Sequence, residues 1–204
     1  MKIKGCRRCE NETGKRKKIH IIDVQPIRDL EKIEDMKWAL KRHCSERDYI
    51  LFLIGIQTGL RVSDLLQLKT EQIIHLKKKK RKEFKIKEGK TKKERDVNLI
   101  PIFDEVYVYA QTIVSDWLFP SRKGDKAISK IQAYRQLNKA ADFAGVEAIG
   151  THTMRKTFGY WMYKQTKDVA MLQDMLNHSK PSVTLKYIGI NKEEKDNVLD
   201  TFKL

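Results

Sequence analysis

The run "YILFLIGI", Tyr49–Ile56, constrains this chain more than any other stretch. It is apolar on every face of a helix rather than along one stripe. Such a helix has to be surrounded by other elements, not laid on a surface. The run is far short of the roughly 20 apolar residues that span a bilayer, so its surroundings must be protein. It predicts a central helix over Arg47–Gln57, stopped at Thr58-Gly59, where glycine supplies the usual left-handed terminator. A helix over Ile27–His43 precedes it, with Ile27, Leu30, Ile33, Met36 and Leu40 on one face, and "RVSDLLQLK" makes a third. Further helices are predicted at Ile102–Ile113, at Ile128–Ala144 before Gly145, and over "THTMRKTFGYWMYKQ" with Thr151 as N-cap. Two more follow, at Asp168–Leu176 and at Asn191–Phe202. Between them "EQIIHLK", "EFKIKE" and "RDVNLI" have β-branched or alternating patterns. The expected fold is α+β and mainly α-helical, with a small three-stranded antiparallel sheet. Its two turns, "KKKKRK" and "GKTKK", are strongly basic.

A length of 204 residues suits one domain of ordinary size. The N-terminus has no apolar signal-peptide core, so a cytoplasmic protein with no membrane association is expected. Three cysteines imply a reducing compartment and no disulfide framework. Cys6 and Cys9 form a CxxC, half a zinc site at best; His20, His43 and Cys44 do not complete a standard spacing, and no metal is expected. The net charge is +16, and it is concentrated. Residues 1–20, read as a flexible basic arm, carry a net +6; Lys77–Arg95 carry a net +9. Localised positive charge of this kind attracts polyanions, nucleic acid being the usual one, although a solvated lysine-rich surface has the same composition. On the nucleic-acid reading, the contacts would be Lys77, Lys78, Lys79, Lys80 and Arg81 in one turn and Lys92 and Lys93 in the other.

Four segments carry candidate chemistry. In "TGLRVSDLLQL", Arg61 follows a glycine break beside the most apolar helix, so it is expected to be part-buried and to need an anionic partner. Asp64 either is that partner and nothing more, or orients the guanidinium toward a phosphate. In "THTMRKTF", His152 and Arg155 share a face in a first helical turn. Cations there oppose the helix dipole, which is easier to explain if an anion binds. Lys90 lies in a basic turn beside Lys87, Lys92 and Lys93, and physics alone does not single it out. In "LNHSKPSVTLKYIGI", His178 follows a helix end, and Tyr187 lies in an apolar segment. Val183, Leu185 and Ile188 form the expected buried face, and Tyr187 is either part of it or a reacting group.

The order Arg, Lys, His-x-x-Arg, His, Tyr, carried by "TGLRVSDLLQL", "HTMRKTFGYWM" and "LNHSKPSVTLKYI", resembles the tyrosine recombinase (phage integrase) family. The likeness covers roughly Ile27–Ile190 and selects Lys90 among the lysines. It implies that residues 21–204 form the catalytic domain. It also implies site-specific cleavage and rejoining of double-stranded DNA through a 3′-phosphotyrosine, without metal, nucleotide or other cofactor. By the same resemblance, Tyr187 is the nucleophile and Arg61 and Arg155 hold the non-bridging oxygens. Lys90 protonates the leaving 5′ oxygen, His152 assists proton transfer, His178 donates to the phosphate, and Asp64 supports Arg61. Homo-oligomers on DNA are expected, with the C-terminal helix (191–204) docking on a neighbouring protomer or on its own domain. Two departures stand out. Asn177 replaces the glycine that often precedes the histidine. Only about 26 residues precede the first helix, so no separate core-binding domain is expected. Two neighbouring functions remain open at this level: DNA relaxation of the type IB topoisomerase kind, and a non-catalytic DNA-binding remnant.

Overall fold

The computed structural model describes residues 24–190 and Asp200. The basic arm, the Cys6–Cys9 pair and, apart from Asp200, the expected C-terminal helix fall outside the described residues. Helix α1 (Leu30–His43) starts at Asp29, whose carboxylate accepts from the Glu31 N–H. Helix α2 (Glu46–Thr58) is capped by Ser45 and ends at Gly59, which is left-handed at φ +62°. A Cβ on Gly59 would also lie 2.3 Å from the Phe158 ring, so two independent constraints require glycine there. Every residue from Tyr49 to Gly55 is buried, as the apolar run demands. Around α2 pack α1, the short α3 (Val62–Leu65) and three later helices: α5 (Phe103–Gln111), α6 (Lys130–Ala144) and α7 (Thr153–Thr166). Fully buried Phe52, Ile50 and Ile54 each contribute roughly 1.5–3 kcal/mol relative to exposure. These helices lie within three residues of their predicted bounds, except that α3 stops at Leu65, four residues short.

The sheet has two strands rather than three. β1 (Glu83–Lys87) and β2 (Glu94–Asn98) pair antiparallel, Glu83 opposite Asn98 and Lys87 opposite Glu94. The stretch "EQIIHLK" is instead helix α4 (Thr70–Lys78), opened by a bond from the Lys69 N–H to the Gln72 side-chain oxygen at 2.7 Å. Ile73 and Leu76, three apart, are its buried apolar residues and pack toward α5. "KKKKRK" is therefore not a hairpin turn. Lys77–Arg81 close α4 and enter β1 at the open end of the hairpin. Lys90, Lys92 and Lys93 lie at the closed end, about 17 Å away by strand length.

A satellite core closes the molecule. Helix α8 (Val169–Met175) starts at the Asp168 cap, and α9 (Pro181–Ile188) follows a turn. Leu172, Leu176 and Ile188 are fully buried together against α7. Gly159 of α7 permits this approach, since a Cβ there would lie 2.7 Å from Ile188 Cγ2. The face of α9 differs from expectation: Thr184 and Ile188 are its buried residues, whereas Val183 is exposed. Among the described residues, no helix is long and apolar enough to cross a membrane.

Candidate active site

Arg61 emerges where α2 stops and α3 begins. Its guanidinium Nη1 lies 2.7 Å from Glu88 Oε2 but 3.9 Å from Asp64 Oδ2. Asp64 is thus a distant partner of Arg61, and Glu88 is the near one. The short bond of Asp64 runs elsewhere, its Oδ1 accepting from the Gly89 N–H at 3.1 Å. Asp64 thus anchors the hairpin tip and touches Arg61 only loosely. Glu88 is fully buried. Burial raises its pKa, but the Thr91 hydroxyl and the Arg61 guanidinium outweigh that and hold it below the usual carboxylate range.

Arg155, on the first turn of α7, is 2% exposed. Its Nη1 donates to the Gly59 carbonyl at 2.7 Å and its Nη2 to the Leu176 carbonyl at 2.6 Å. Arg95 of β2 donates to the Thr58 and Gly59 carbonyls. The last turn of α2 has no basic residue of its own. Two guanidiniums from distant sequence supply the positive charge that its dipole favours. They also pair the carbonyls that a helix end leaves open.

His152, not Thr151, is the N-cap residue of α7. The turn before it is held by the Gly150 N–H donating to Thr153 Oγ1 at 2.9 Å. His152 Nδ1 is 3.1 Å from the Tyr187 hydroxyl oxygen. The Tyr187 ring packs on the satellite core and meets the His178 ring edge-on, with centroids 5.0 Å apart. The Tyr187 ring therefore packs while its hydroxyl reaches a polar cluster. Burial pushes the phenol pKa up, with Arg155 and Arg61 pulling it back. Burial, then the charges of Arg155 and Arg61, pushes His152 down, which favours a neutral imidazole able to accept a proton.

A cleft of about 860 Å³ opens beside this cluster, lined by Arg61, Asp64, Lys87, Lys90, Lys130 and His152 among others. Arg61, His152, Arg155, His178 and Tyr187 converge behind or along it, and Lys90 stands on its hairpin lip. Lys92 and Lys93 are exposed in the same turn. Lys77–Arg81 do not line the cleft; Lys77 instead pairs with Asp104 at 3.4 Å and Arg81 with Glu83 at 3.5 Å. Sequence reasoning missed Glu88, Arg95 and Thr184. The last is fully buried, with its hydroxyl 3.1 Å from His178 Nδ1.

Residues 29–194 match the model of the Phage integrase family. The chain belongs to the phage integrase family. Its relatives agree with this. Probable integrase/recombinase YoeC of Bacillus subtilis (strain 168) is 45% identical over 172 residues, covering 83% of this chain and 92% of YoeC. Tyrosine recombinase XerC of Thermodesulfovibrio yellowstonii is 28% identical over 163 residues, covering 76% of this chain and 54% of XerC. The chain thus spans about half the length of that recombinase. The crystal structure of XerH site-specific recombinase bound to palindromic difH substrate superposes with a TM-score of 0.64 at 22% identity. That match covers 87% of this chain and 53% of XerH, and it shows a shared fold.

This integrase is a tyrosine-type recombinase by family, and one departure from the family pattern is accommodated locally. Asn177 is left-handed, at φ +50°, a conformation asparagine tolerates better than most residues. The turn before His178 therefore persists without glycine. Burial, then the charges of Arg155 and Arg61, pushes His178 down to about 4. The unfolded value is about 6.5. Between the two, the unfolded chain binds a proton that the folded chain refuses, so stability falls as pH drops from about 6.5 to about 4. The thermal midpoint of the DNA-free integrase is expected to decline across that window and to be less pH-dependent in His178→Gln, as measured by circular dichroism melts.

Proposed function

We propose that this integrase cuts and rejoins duplex DNA at specific sites through a 3′-phosphotyrosine at Tyr187. The observation that carries the reading is the 3.1 Å contact between the Tyr187 hydroxyl and His152 Nδ1, beside both Arg61 and Arg155. In cleavage, the phenol oxygen bonds to phosphorus as its proton passes to His152 Nδ1. The P–O5′ bond breaks, and the Lys90 ammonium gives a proton to the leaving 5′ oxygen. Arg61 and Arg155 offset the charge that builds on the non-bridging oxygens, the kind of preorganised stabilisation that dominates phosphoryl transfer. His178, fixed by Thr184, donates to the same phosphate. Attack by a 5′ hydroxyl reverses the step, and the tyrosyl ester conserves the energy of the phosphodiester, so no nucleotide is consumed.

The partner is double-stranded DNA. Lys92 and Lys93 contact its backbone beside Lys90, and Lys77, Lys78, Lys79, Lys80 and Arg81 contact it farther along. The clustered charge and the DNA-bound XerH complex support this. Residues 1–20 add a basic arm to a catalytic domain over 21–204 that works as a homo-oligomer on DNA in the cytoplasm. To test the reading, a random duplex pool is enriched on the Tyr187→Phe variant, and the recovered sequence is rebuilt with a nick that traps cleaved product. Wild-type protein is expected to form a denaturant-resistant adduct on the 3′ side in the presence of EDTA. Binding without adduct would favour a DNA-binding role instead.

A further inference from the structure

Glu88, which the strand-cleavage chemistry above does not use, lies at the centre of a charge cluster. Its Oε2 is 2.7 Å from Arg61 Nη1 and accepts from the Thr91 hydroxyl at 2.7 Å and the Asn177 amide at 3.3 Å. Its Oε1 faces Arg95 Nη1 at 3.6 Å and Arg155 Nη1 at 3.7 Å. With Asp64 the set holds three guanidiniums against two carboxylates, one net positive charge in a buried place. One phosphodiester would neutralise it. The cluster is also short of hydrogen bonds: Asp64 Oδ2 and Glu88 Oε1 are buried without one. Of the three arginines, Arg61 alone lines the cleft, and the fully buried Glu88 pairs with it.

Glu88 is also part of the hairpin. Its N–H donates to the Lys93 carbonyl and its carbonyl accepts from the Lys92 N–H, both at 2.9 Å, closing the turn that carries Lys90. The Lys90 Cα is two residues on, at most about 7 Å away. One side chain therefore ties the turn of Lys90 to both arginines.

We propose that Glu88 is a positioning residue for strand cleavage: it holds Arg61 and Arg155 from behind, seats the Lys90 turn against them, and yields Arg61 to the incoming phosphate. The proposal rests on the reading of the cleft as a phosphodiester site. It predicts a split between binding and chemistry. Glu88→Gln keeps the shape and the acceptor oxygen but raises the cluster charge by one. Inorganic phosphate, titrated by calorimetry, is expected to bind several-fold more tightly. Phosphotyrosine formation on the nicked, selected duplex is expected to slow by about 100-fold, the scale of a 1 Å misplacement. A wild-type cleavage rate overturns the proposal, and so does phosphate affinity that is unchanged or weaker. Thr91→Val, which removes one bond to Glu88 and no charge, guards against a Glu88→Gln variant that does not fold. Its cleavage is expected to slow roughly fivefold at unchanged DNA affinity, and wild-type cleavage there overturns the proposal equally. If wild-type protein forms no adduct, the recombinase reading fails, and the phosphate titration still decides the role of Glu88.

Discussion

Replacing Tyr187 with phenylalanine is expected to abolish the covalent protein–DNA adduct and to leave DNA affinity within about twofold, because one oxygen is lost and no charge changes. The ring keeps its place, since it is held by Leu172, Leu176 and Ile188 rather than by its hydroxyl. Stability is expected to fall by no more than about 1 kcal/mol, the net worth of the bond to His152. Chemistry, by contrast, has no substitute. Burial keeps the phenol protonated at neutral pH, so attack requires an acceptor at the moment of bond formation. On the proposed mechanism His152, held neutral by burial and two guanidiniums, is that acceptor. A denaturing gel of labelled, nicked duplex reads the adduct, and filter binding reads affinity. An adduct that survives the substitution would assign the nucleophile elsewhere.

The legible parts of the fold were those whose cause is local. The run Tyr49–Ile56 has to be central in any arrangement, and Gly59 and Gly145 end α2 and α6 in left-handed turns because few other residues adopt them cheaply. "EQIIHLK" misleads because paired isoleucines favour a strand intrinsically, whereas the outcome is set by what buries them. Ile73 and Leu76 face α5 at helical spacing, and that tertiary contact overrides propensity. The site residues were legible as a set, through their order in the chain, but their partners were not. Arg155 binds carbonyls 96 and 21 positions away, and Thr184 reaches His178 only because α9 folds back on α8. Glu88 is harder still. In "KIKEGKTKKER" it is one carboxylate among many charges, and nothing in the spacing marks it as the buried one. Asp64, helically placed three residues after Arg61, looked the better partner; the hairpin brings a closer one from 27 positions away.

Arg155→Lys separates the two jobs of this guanidinium. It donates from two different nitrogens to carbonyls at the ends of α2 and α8, and a third contact faces Glu88. A lysine keeps the charge but has one nitrogen, which cannot span both carbonyls. One buried acceptor is left unpaired at a cost of about 1–3 kcal/mol. The thermal midpoint should therefore fall by roughly 2–12 °C, at about 2–4 °C per kcal/mol for a domain of this size. Cleavage should fall further than stability explains, by about 10²–10³ in the folded fraction, since a preorganised donor aimed at the transition state is lost. DNA affinity should change little, because phosphate attraction follows charge. Arg155→Ala behaves differently. It leaves the Leu176 carbonyl unpaired and takes from Glu88 one of its three guanidinium neighbours, at a cost of about 3–5 kcal/mol, so its cleavage defect is partly an unfolding defect. Single-turnover adduct rates, divided by the folded fraction from circular dichroism, distinguish the cases. A folded Arg155→Lys protein that cleaves at the wild-type rate would reduce Arg155 to a staple between α2 and α8. The charge at the phosphate would then have to come from Arg61 alone, the one guanidinium of the three that already faces the cleft.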